Sequence, residues 1–311
     1  MAYRIDRRAQ RRALQRAAGP GIAALAAATP AAPLVALRAR VDQELLARLP
    51  LFRLAPRLIV DAGSGTGAAA TALRRQFPRA RLLAIDLIES PLREARRTQR
   101  CWRRYDCLCA DVRALPLAAA SADLVYSSLL LHHCDDPHAV FAELRRVLRP
   151  GGLLLFSTLG PQTLAELREA WAAADERPHV GAFPDMAQLG AALAAAGFTE
   201  PVLDRELQRT RHAGTHTLLE GLRALGASHV GRERRRTLTG RARFHAMLAR
   251  YDAQRGASGV EASWELLYGA AFAGRAHDAV HAHGTMPAPG ATEARGESTV
   301  PLAKLGRRPA R

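Results

Sequence analysis

From residue 58 onward, short apolar segments alternate along the chain with amphipathic ones. Five apolar segments predict buried strands: RLIVDA, RLLAID, YDCLCAD, ADLVYSSLL and LLLFSTL. Three amphipathic segments between or beside them predict helices: AAATALRRQFP, SPLREARRTQR and HAVFAELRRVLRPGG. Alternating strands and helices are typical of a parallel sheet with helices on both faces. The pattern therefore predicts an α/β fold.

Beyond residue 160 the pattern becomes mainly helical. Helices are predicted within residues 163–175, 185–198 and 215–254, and strands at 200–207 and 264–272. Residues 274–311 are rich in Gly, Pro, Ala and His without periodicity, which predicts a disordered tail. We therefore divide the chain into a basic, Ala-rich N-terminal segment (1–50), an α/β domain (51–273) and the tail (274–311).

Residues 17–37 carry no charge and follow a basic run, a pattern that resembles a targeting peptide or a membrane span. Pro20, Pro30 and Pro33 interrupt any long helix there, and alanine supplies most of the apolar character. We expect a weakly ordered segment instead, without a membrane span.

Composition limits the class of protein. With 311 residues, 48% of them hydrophobic, the chain can bury a full core, which excludes collagen-like and disordered classes. Its four cysteines are too few for a disulfide scaffold and fit a reducing, cytoplasmic compartment.

The net charge of +16 is concentrated at the two ends of the chain. Residues 1–60 hold eleven Arg against three acids, a surplus of eight, and residues 301–311 add four basic residues. Residues 61–300 are therefore nearly balanced. Because aromatic residues are also only 5% of the chain, the sequence does not predict a nucleic-acid partner.

The sharpest chemical motif is Asp61-Ala-Gly63-Ser-Gly65-Thr-Gly67, at the end of the first predicted strand. Glycines at alternate positions allow a tight turn and a close approach of the backbone to a ligand. A turn that leads into a helix also directs free N–H groups at that ligand. The spacing lacks the GK[ST] of a phosphate-binding loop, and by itself it is compatible with a purely structural turn.

Two further carboxylates follow the next two predicted strands. Asp86 closes the second strand, where an acid can accept hydrogen bonds from ribose hydroxyls. Asp111 closes the third strand and can receive an adenine amine. Either residue could instead cap a helix. Acids after three neighbouring strands together predict a nucleoside-binding site.

These residues resemble the S-adenosylmethionine site of the seven-stranded methyltransferases. The resemblance implies a Rossmann-like methyltransferase sheet with helices on both faces, and S-adenosyl-L-methionine as cofactor. It implies the glycine loop beside the cofactor, Asp86 on the ribose and Asp111 on the adenine. The cofactor site implied in this way consists of Asp61, Gly63, Gly65, Gly67, Asp86, Leu87, Asp111, Val112 and Ser128, without a metal.

A more specific resemblance begins at residue 156. The segments FSTLGPQTLAELREAWAAADERPHV, AAGFTEPVLDREL, LLEGLRALGA and SWELLYGAAF are similar to the malonyl-[acyl-carrier-protein] O-methyltransferases of biotin biosynthesis. Membership implies methyl transfer to the free carboxylate of a malonyl thioester on acyl carrier protein, or on coenzyme A. It also implies a helical lid within residues 161–197 and 212–261. We expect a monomer.

The reaction restricts the residues to look for. A malonyl carboxylate has a pKa of about 4 and is already ionised, so neither a general base nor a metal is required. A cation or a hydrogen-bond donor must hold it. The candidates on the substrate side are His133, Arg168, His179 and Arg223, with Arg241 as a further arginine.

The chain also departs from the family pattern. Family members read approximately SNLALQWC after the fourth strand, and this chain has His132-His133 in place of Gln-Trp. They carry an aromatic in an FxRAAxxY-like segment before the first strand, and the region taken to correspond, residues 19–33, has none. Two alternatives therefore stay open: a methyltransferase with a different acceptor, and a non-catalytic S-adenosylmethionine-binding assembly factor.

Overall fold

A seven-stranded sheet organises the protein, whose computed structural model describes residues 4–17, 29–99, 104–227, 229–235 and 237–274. The strand order is β3-β2-β1-β4-β5-β7-β6. Strands β1 to β5 are parallel, and β7 runs antiparallel to both β5 and β6. The predicted α/β fold is confirmed. The strands are β1 (Leu58–Ala62), β2 (Arg81–Asp86), β3 (Asp106–Cys109), β4 (Ala122–Ser127), β5 (Leu148–Leu159), β6 (Phe198–His212) and β7 (Val260–Ala273).

Helices cover both faces of this sheet. Polar side chains fix where two of them begin: the Asp136 carboxylate accepts from the backbone of α5, and Asp185 forms a reciprocal capping pair with Gln188 in α7. In the described part of the chain the α-helices are α1 (Arg7–Ala17), α2 (Ala32–Ala47), α3 (Ala68–Gln76), α4 (Glu89–Thr98), α5 (Pro137–Val147), α6 (Ala165–Ala172), α7 (Met186–Ala195), α8 (Thr215–Ala224) and α9 (Arg241–Asp252).

Alternating side chains on the central strands form two hydrophobic cores. Leu124 and Leu153 face the first core, whereas Val125 and Leu154, one residue further along, face the second. The first core packs against α2 and α3, and also against α6, α8 and α9. We call the three helices α6, α8 and α9 the cap. The second core packs against α5 and α7.

The prediction of a weakly ordered segment at residues 17–37 is wrong for residues 32–37. Helix α2 begins at Ala32, with Pro33 in its first turn. A proline costs no hydrogen bond there, because the first N–H groups of a helix have no partner within the helix. Leu34, Val41 and Leu45 are buried in the first core, so this helix packs against the sheet across the expected boundary at residue 50.

Of the helices within the predicted lid ranges, α6, α8 and α9 lie over the first core and α7 does not; that they form a lid stays a prediction. Leu189 and Leu193 of α7 lie in the second core beside α5, on the opposite face of the sheet. The predicted tail, apart from Gly274, lies outside the described residues. No helix in the ranges given above is both long and apolar enough to cross a membrane.

Candidate active site

The glycine loop after β1 takes a backbone path that side chains disfavour. Gly63, Gly65 and Gly67 have φ angles of +80°, +54° and +81°, in the left-handed region that glycine adopts at little cost. The Gly63 N–H donates to the Ile85 carbonyl at 2.8 Å, which ties the loop to β2. A β-carbon on Gly67 would collide with the hydroxyl of Tyr105. The loop is therefore held open and close to the sheet edge.

Asp86 joins this loop to the end of β2. Its Oδ2 accepts from the Gly65 N–H and its Oδ1 from the Ile88 N–H, both at 2.9 Å. Burial raises the pKa of Asp86, and these N–H groups oppose the shift. A carboxylate oxygen has two lone pairs, so each oxygen can accept one more hydrogen bond. Asp86 thus presents acceptor capacity to the pocket that it lines.

A pocket lies where the carboxyl ends of β1, β2 and β3 meet; we call it the strand-end pocket. Of the nine predicted cofactor residues, six line it: Gly63, Gly65, Asp86, Leu87, Asp111 and Val112. The carboxylate of Asp111 is held by Arg113, whose Nε lies 2.8 Å from Asp111 Oδ1. This contact lowers the pKa of Asp111. Its predicted contact with adenine stays a prediction.

The other three predicted residues lie behind the pocket wall. Gly67 is the N-cap residue just before α3, and Ser128 is buried with its hydroxyl 3.2 Å from that of Ser157. Asp61 is buried beneath the loop, and among the described residues its Oδ2 has no hydrogen-bond partner. Burial, reinforced by the nearby charges of Asp42 and Asp86, raises the pKa of Asp61 to about 8. Asp61 is thus a buried carboxyl poised to respond to charge in the pocket.

A second pocket lies between the sheet and the cap, and we call it the cap pocket. It is the larger of the two, about 1500 Å³ against about 1050 Å³ with the open mouths included. Gln10 and His133 line both pockets, and the Gln10 amide donates to the His133 carbonyl at 2.5 Å. A group in one pocket can therefore approach a group in the other at His133.

Two histidine rings stand at this junction. The rings of His132 and His133 lie 4.0 Å apart between centroids. Burial and the charge of Arg38 lower the pKa of His133 to about 4, and burial lowers the pKa of His132 well below its usual value. Both rings are therefore neutral near pH 7. No group of three or more metal-ligating side chains is assembled anywhere in the part of the chain that the structure describes.

An ion-pair cluster built on Asp175 shapes the cap pocket. The buried Asp175 carboxylate accepts from Arg235 at 2.6 and 2.9 Å and contacts His179 Nε2 at 2.9 Å. The His179 ring stacks on Trp171, with centroids 3.6 Å apart and planes within 7°. The pKa of Asp175 is well below its usual range, mainly because of Arg235. His179, a predicted substrate residue, is therefore fixed in the pocket wall.

The two predicted substrate arginines have different environments. Arg168 donates to the backbone carbonyls of Pro161, Thr163 and Gly181, and it lines neither pocket. Its donors tie one loop to another, and its predicted substrate role stays a prediction. Arg223 lines the cap pocket, is exposed, and has no ion pair among the described residues.

Sequence reasoning missed the contribution of the chain before β1. Helix α1 covers the strand-end pocket with Leu14 and Ala17, and α2 brings Arg38 into the same pocket. Residues 14–18 read LQRAA, which fits the FxRAA pattern with leucine in place of phenylalanine. The pattern thus corresponds to α1 and not to residues 19–33, and this substitution was the available signal.

Comparison with solved structures agrees with this fold. The YcgJ protein from Bacillus subtilis superimposes with a TM-score of 0.55 at 13% identity, covering 75% of this chain and 99% of that one. A putative methyltransferase from Bacillus halodurans C-125 gives a TM-score of 0.52 at 15% identity, with 75% and 100% covered. At such identities the likeness supports the fold alone.

Comparison with known sequences identifies the family. A family model described as a methyltransferase domain matches residues 60–156. A malonyl-[acyl-carrier protein] O-methyltransferase from Xylella fastidiosa (strain M23) is 44% identical over 239 residues, 76% of this chain and 81% of that protein. One from Gallionella capsiferriformans (strain ES-2) is 38% identical over 274 residues, 86% and 91% of the two chains. The chain belongs to the malonyl-[acyl-carrier protein] O-methyltransferases, a family of S-adenosylmethionine-dependent enzymes.

Proposed function

We propose that this protein transfers the methyl group of S-adenosylmethionine to the free carboxylate of a malonyl thioester carried by acyl carrier protein. The observation that carries the proposal is the junction of the two pockets at His133. A cofactor in the strand-end pocket and an acceptor in the cap pocket can meet there. The product, a methyl ester, suits the biotin pathway because it masks a charge during chain elongation.

The strand-end pocket fits the cofactor. The left-handed glycines let a ligand approach the backbone, and Asp86 retains acceptor capacity for two hydroxyls. Below the loop, Asp61 has a buried carboxyl oxygen with no hydrogen-bond partner in the described ranges, and its ionised form would favour a cationic ligand nearby. When bound, S-adenosylmethionine supplies a methyl group activated by a positive sulfonium.

The residues of the cap pocket suit an anionic acceptor. Arg223 offers a fork of N–H donors that matches a carboxylate, and it has no acidic partner among the described residues to displace. The acceptor carries no proton to remove at pH 7, so the neutral His133 need not act as a base. The task of these residues is to align the carboxylate and exclude water.

Three finer points belong to the same proposal. Acyl carrier protein is the proposed carrier, and coenzyme A is the alternative carrier of the malonyl group. The protein acts as a monomer in the cytoplasm. The described cysteines, Cys107, Cys109 and Cys134, are free thiols, which suits a reducing compartment.

The test is the intact mass of malonyl-acyl carrier protein after incubation with the enzyme and S-adenosylmethionine. We expect a gain of one methylene on the malonyl form, and none on unloaded or acetyl-loaded carrier. If only malonyl-coenzyme A gained the methylene, the carrier of the malonyl group would be coenzyme A and not acyl carrier protein. No mass change on any malonyl thioester, with cofactor binding intact, would refute the proposed reaction and favour another acceptor or an assembly role.

A further inference from the structure

Arg38 is a cation in the strand-end pocket, and the reaction proposed for the protein gives it no role. It lies on α2, is half-buried and lines the pocket beside the glycine loop. Its Nη2 would be 3.1 Å from a β-carbon built on Gly65. The guanidinium therefore stands directly over the loop whose N–H group is bonded to Asp86.

This guanidinium has no protein partner in the described ranges. It makes no hydrogen bond there, and no carboxylate oxygen of those residues lies within 4.0 Å of it. Burial raises the pKa of Asp42, Asp61 and Asp86, and the charge of Arg38 only partly opposes that rise. Arg40, two residues further along α2, behaves differently and pairs with Glu206 at 3.0 Å. An arginine at the wall of a ligand pocket with all its donors free is a site for an anion.

We propose that Arg38 binds the α-carboxylate at the methionyl end of S-adenosylmethionine. The proposal rests on the cofactor of the proposed function, since it names which group of that cofactor Arg38 holds. S-adenosylmethionine has a single carboxylate, and its sulfonium and ammonium would be repelled by an unpaired guanidinium. Pairing the carboxylate with Arg38 removes this repulsion and adds a two-pronged contact.

The acceptor carboxylate is the other anion of the reaction, and it belongs elsewhere. Arg38 does not line the cap pocket, whereas Arg223 does. Of the three carboxyl groups on which the Arg38 charge acts, Asp86 lines the strand-end pocket, and none lines the cap pocket. The position of Arg38 therefore selects the cofactor over the acceptor.

The test is calorimetric binding of two ligands that differ by a single group. S-adenosylhomocysteine carries the α-carboxylate, and its decarboxylated analogue lacks it. We expect Arg38→Gln to weaken binding of S-adenosylhomocysteine about 30-fold, the effect of losing hydrogen bonds between charged groups. Binding of the decarboxylated analogue should change less than twofold. Arg38→Lys, which keeps the charge and loses the fork, should fall between.

Arg40→Gln is the matched control on the same helix, and it should leave both affinities unchanged. Equal weakening of both ligands in Arg38→Gln would mean that Arg38 only supports the loop, and no weakening would remove it from the site; either result overturns the proposal. Failure of the wild-type protein to bind S-adenosylhomocysteine at all would instead contradict the proposed cofactor. The two failures are therefore distinguishable.

Discussion

The strand-end pocket and the cap pocket are built in opposite ways. The first is lined mainly by residues at or just after the carboxyl ends of β1 to β4, among them the glycine loop and the two acids Asp86 and Asp111. The second is lined by side chains from segments far apart in the sequence, among them His132, Trp171 and Arg223. Backbone geometry dominates one pocket, and long-range side-chain contacts dominate the other.

The contacts that hold the two pockets differ in the same way. Gly65 and Asp86 are 21 residues apart and are joined through the βαβ unit itself. Between α8 and α9, Arg235 bonds to Asp175, 60 residues away, and Arg234 bonds to Asp6, 228 residues away; these contacts hold that loop beside the cap. A pocket of the first kind persists wherever the βαβ unit folds, whereas one of the second kind changes with any of several distant residues. The acceptor is therefore the easier half of the reaction to alter.

The two pockets also differ in charge. Acids surround the strand-end pocket, which suits a cationic cofactor, and arginines line the cap pocket, which suits an anionic acceptor. The strand-end pocket also holds two arginines: Arg113 is paired with Asp111, whereas Arg38 has no ion pair among the described residues, and its proposed partner is the anionic group of the cofactor. Substitutions in one pocket should therefore change the binding of one ligand and leave the other unaffected.

The largest expected effect comes from Asp86→Ala. Loss of charge-assisted hydrogen bonds should weaken S-adenosylmethionine binding by about 1–3 kcal/mol, measured by calorimetry. Asp106→Ala removes an exposed carboxylate that pairs with Arg81 on the neighbouring strand, and it should leave affinity unchanged. Unchanged affinity in Asp86→Ala, in a variant that folds normally, would remove Asp86 from the cofactor site.

A smaller effect on the other ligand is expected from Arg223→Gln. The malonyl carboxylate loses a cationic donor, so KM for malonyl-acyl carrier protein should rise about tenfold. Affinity for S-adenosylmethionine should stay within twofold, because Arg223 lines only the cap pocket. Arg250→Gln, on a cap arginine that pairs with Glu169, is the control for charge alone. A matching loss of cofactor affinity would break the separation between the two pockets.

The same contrast explains what the sequence predicted. The sheet, the glycine loop and the acids Asp86 and Asp111 follow from patterns confined to a few residues, and they line the pocket as expected. Their roles toward a bound cofactor stay predictions. Ser128 sits one residue past β4 and is buried, because residues at a strand end alternate between the pocket and the core.

Residues outside the motif could not be found in this way. Arg168 and Arg223 are both arginines on helices, and only tertiary packing shows that the first bonds to three carbonyls while the second faces a pocket. Arg38 and Gln10 reach the site from helices that precede the sheet, so no local pattern connects them to it. The rule against proline in helices also misled, since Pro33 lies in a first turn.

The smallest expected effect concerns two buried aspartates, one near each pocket. The pKa of Asp61 is raised to about 8, so the folded state binds its proton more tightly than the unfolded state does. The contribution of Asp61 to the free energy of unfolding of the cofactor-free protein therefore falls as the pH rises from about 4 to about 8. Asp61→Asn cannot ionise and should melt about 3–5 °C higher than wild type at pH 8, with a clearly smaller difference at pH 5.

Asp175→Asn should show the opposite sign and no pH dependence over the same range. The pKa of Asp175 is lowered in the folded state, so its contribution is complete above the unfolded value and is lost only in strong acid. Melting curves of both variants and wild type at pH 5, 6.5 and 8 would test this. Parallel curves for Asp61→Asn and wild type would show that the carboxyl is ionised throughout. Asp61 beside the strand-end pocket would then be an ionised buried carboxylate, as Asp175 is beside the cap pocket. The two pockets would differ in which parts of the chain form them, but both would stabilise a buried negative charge.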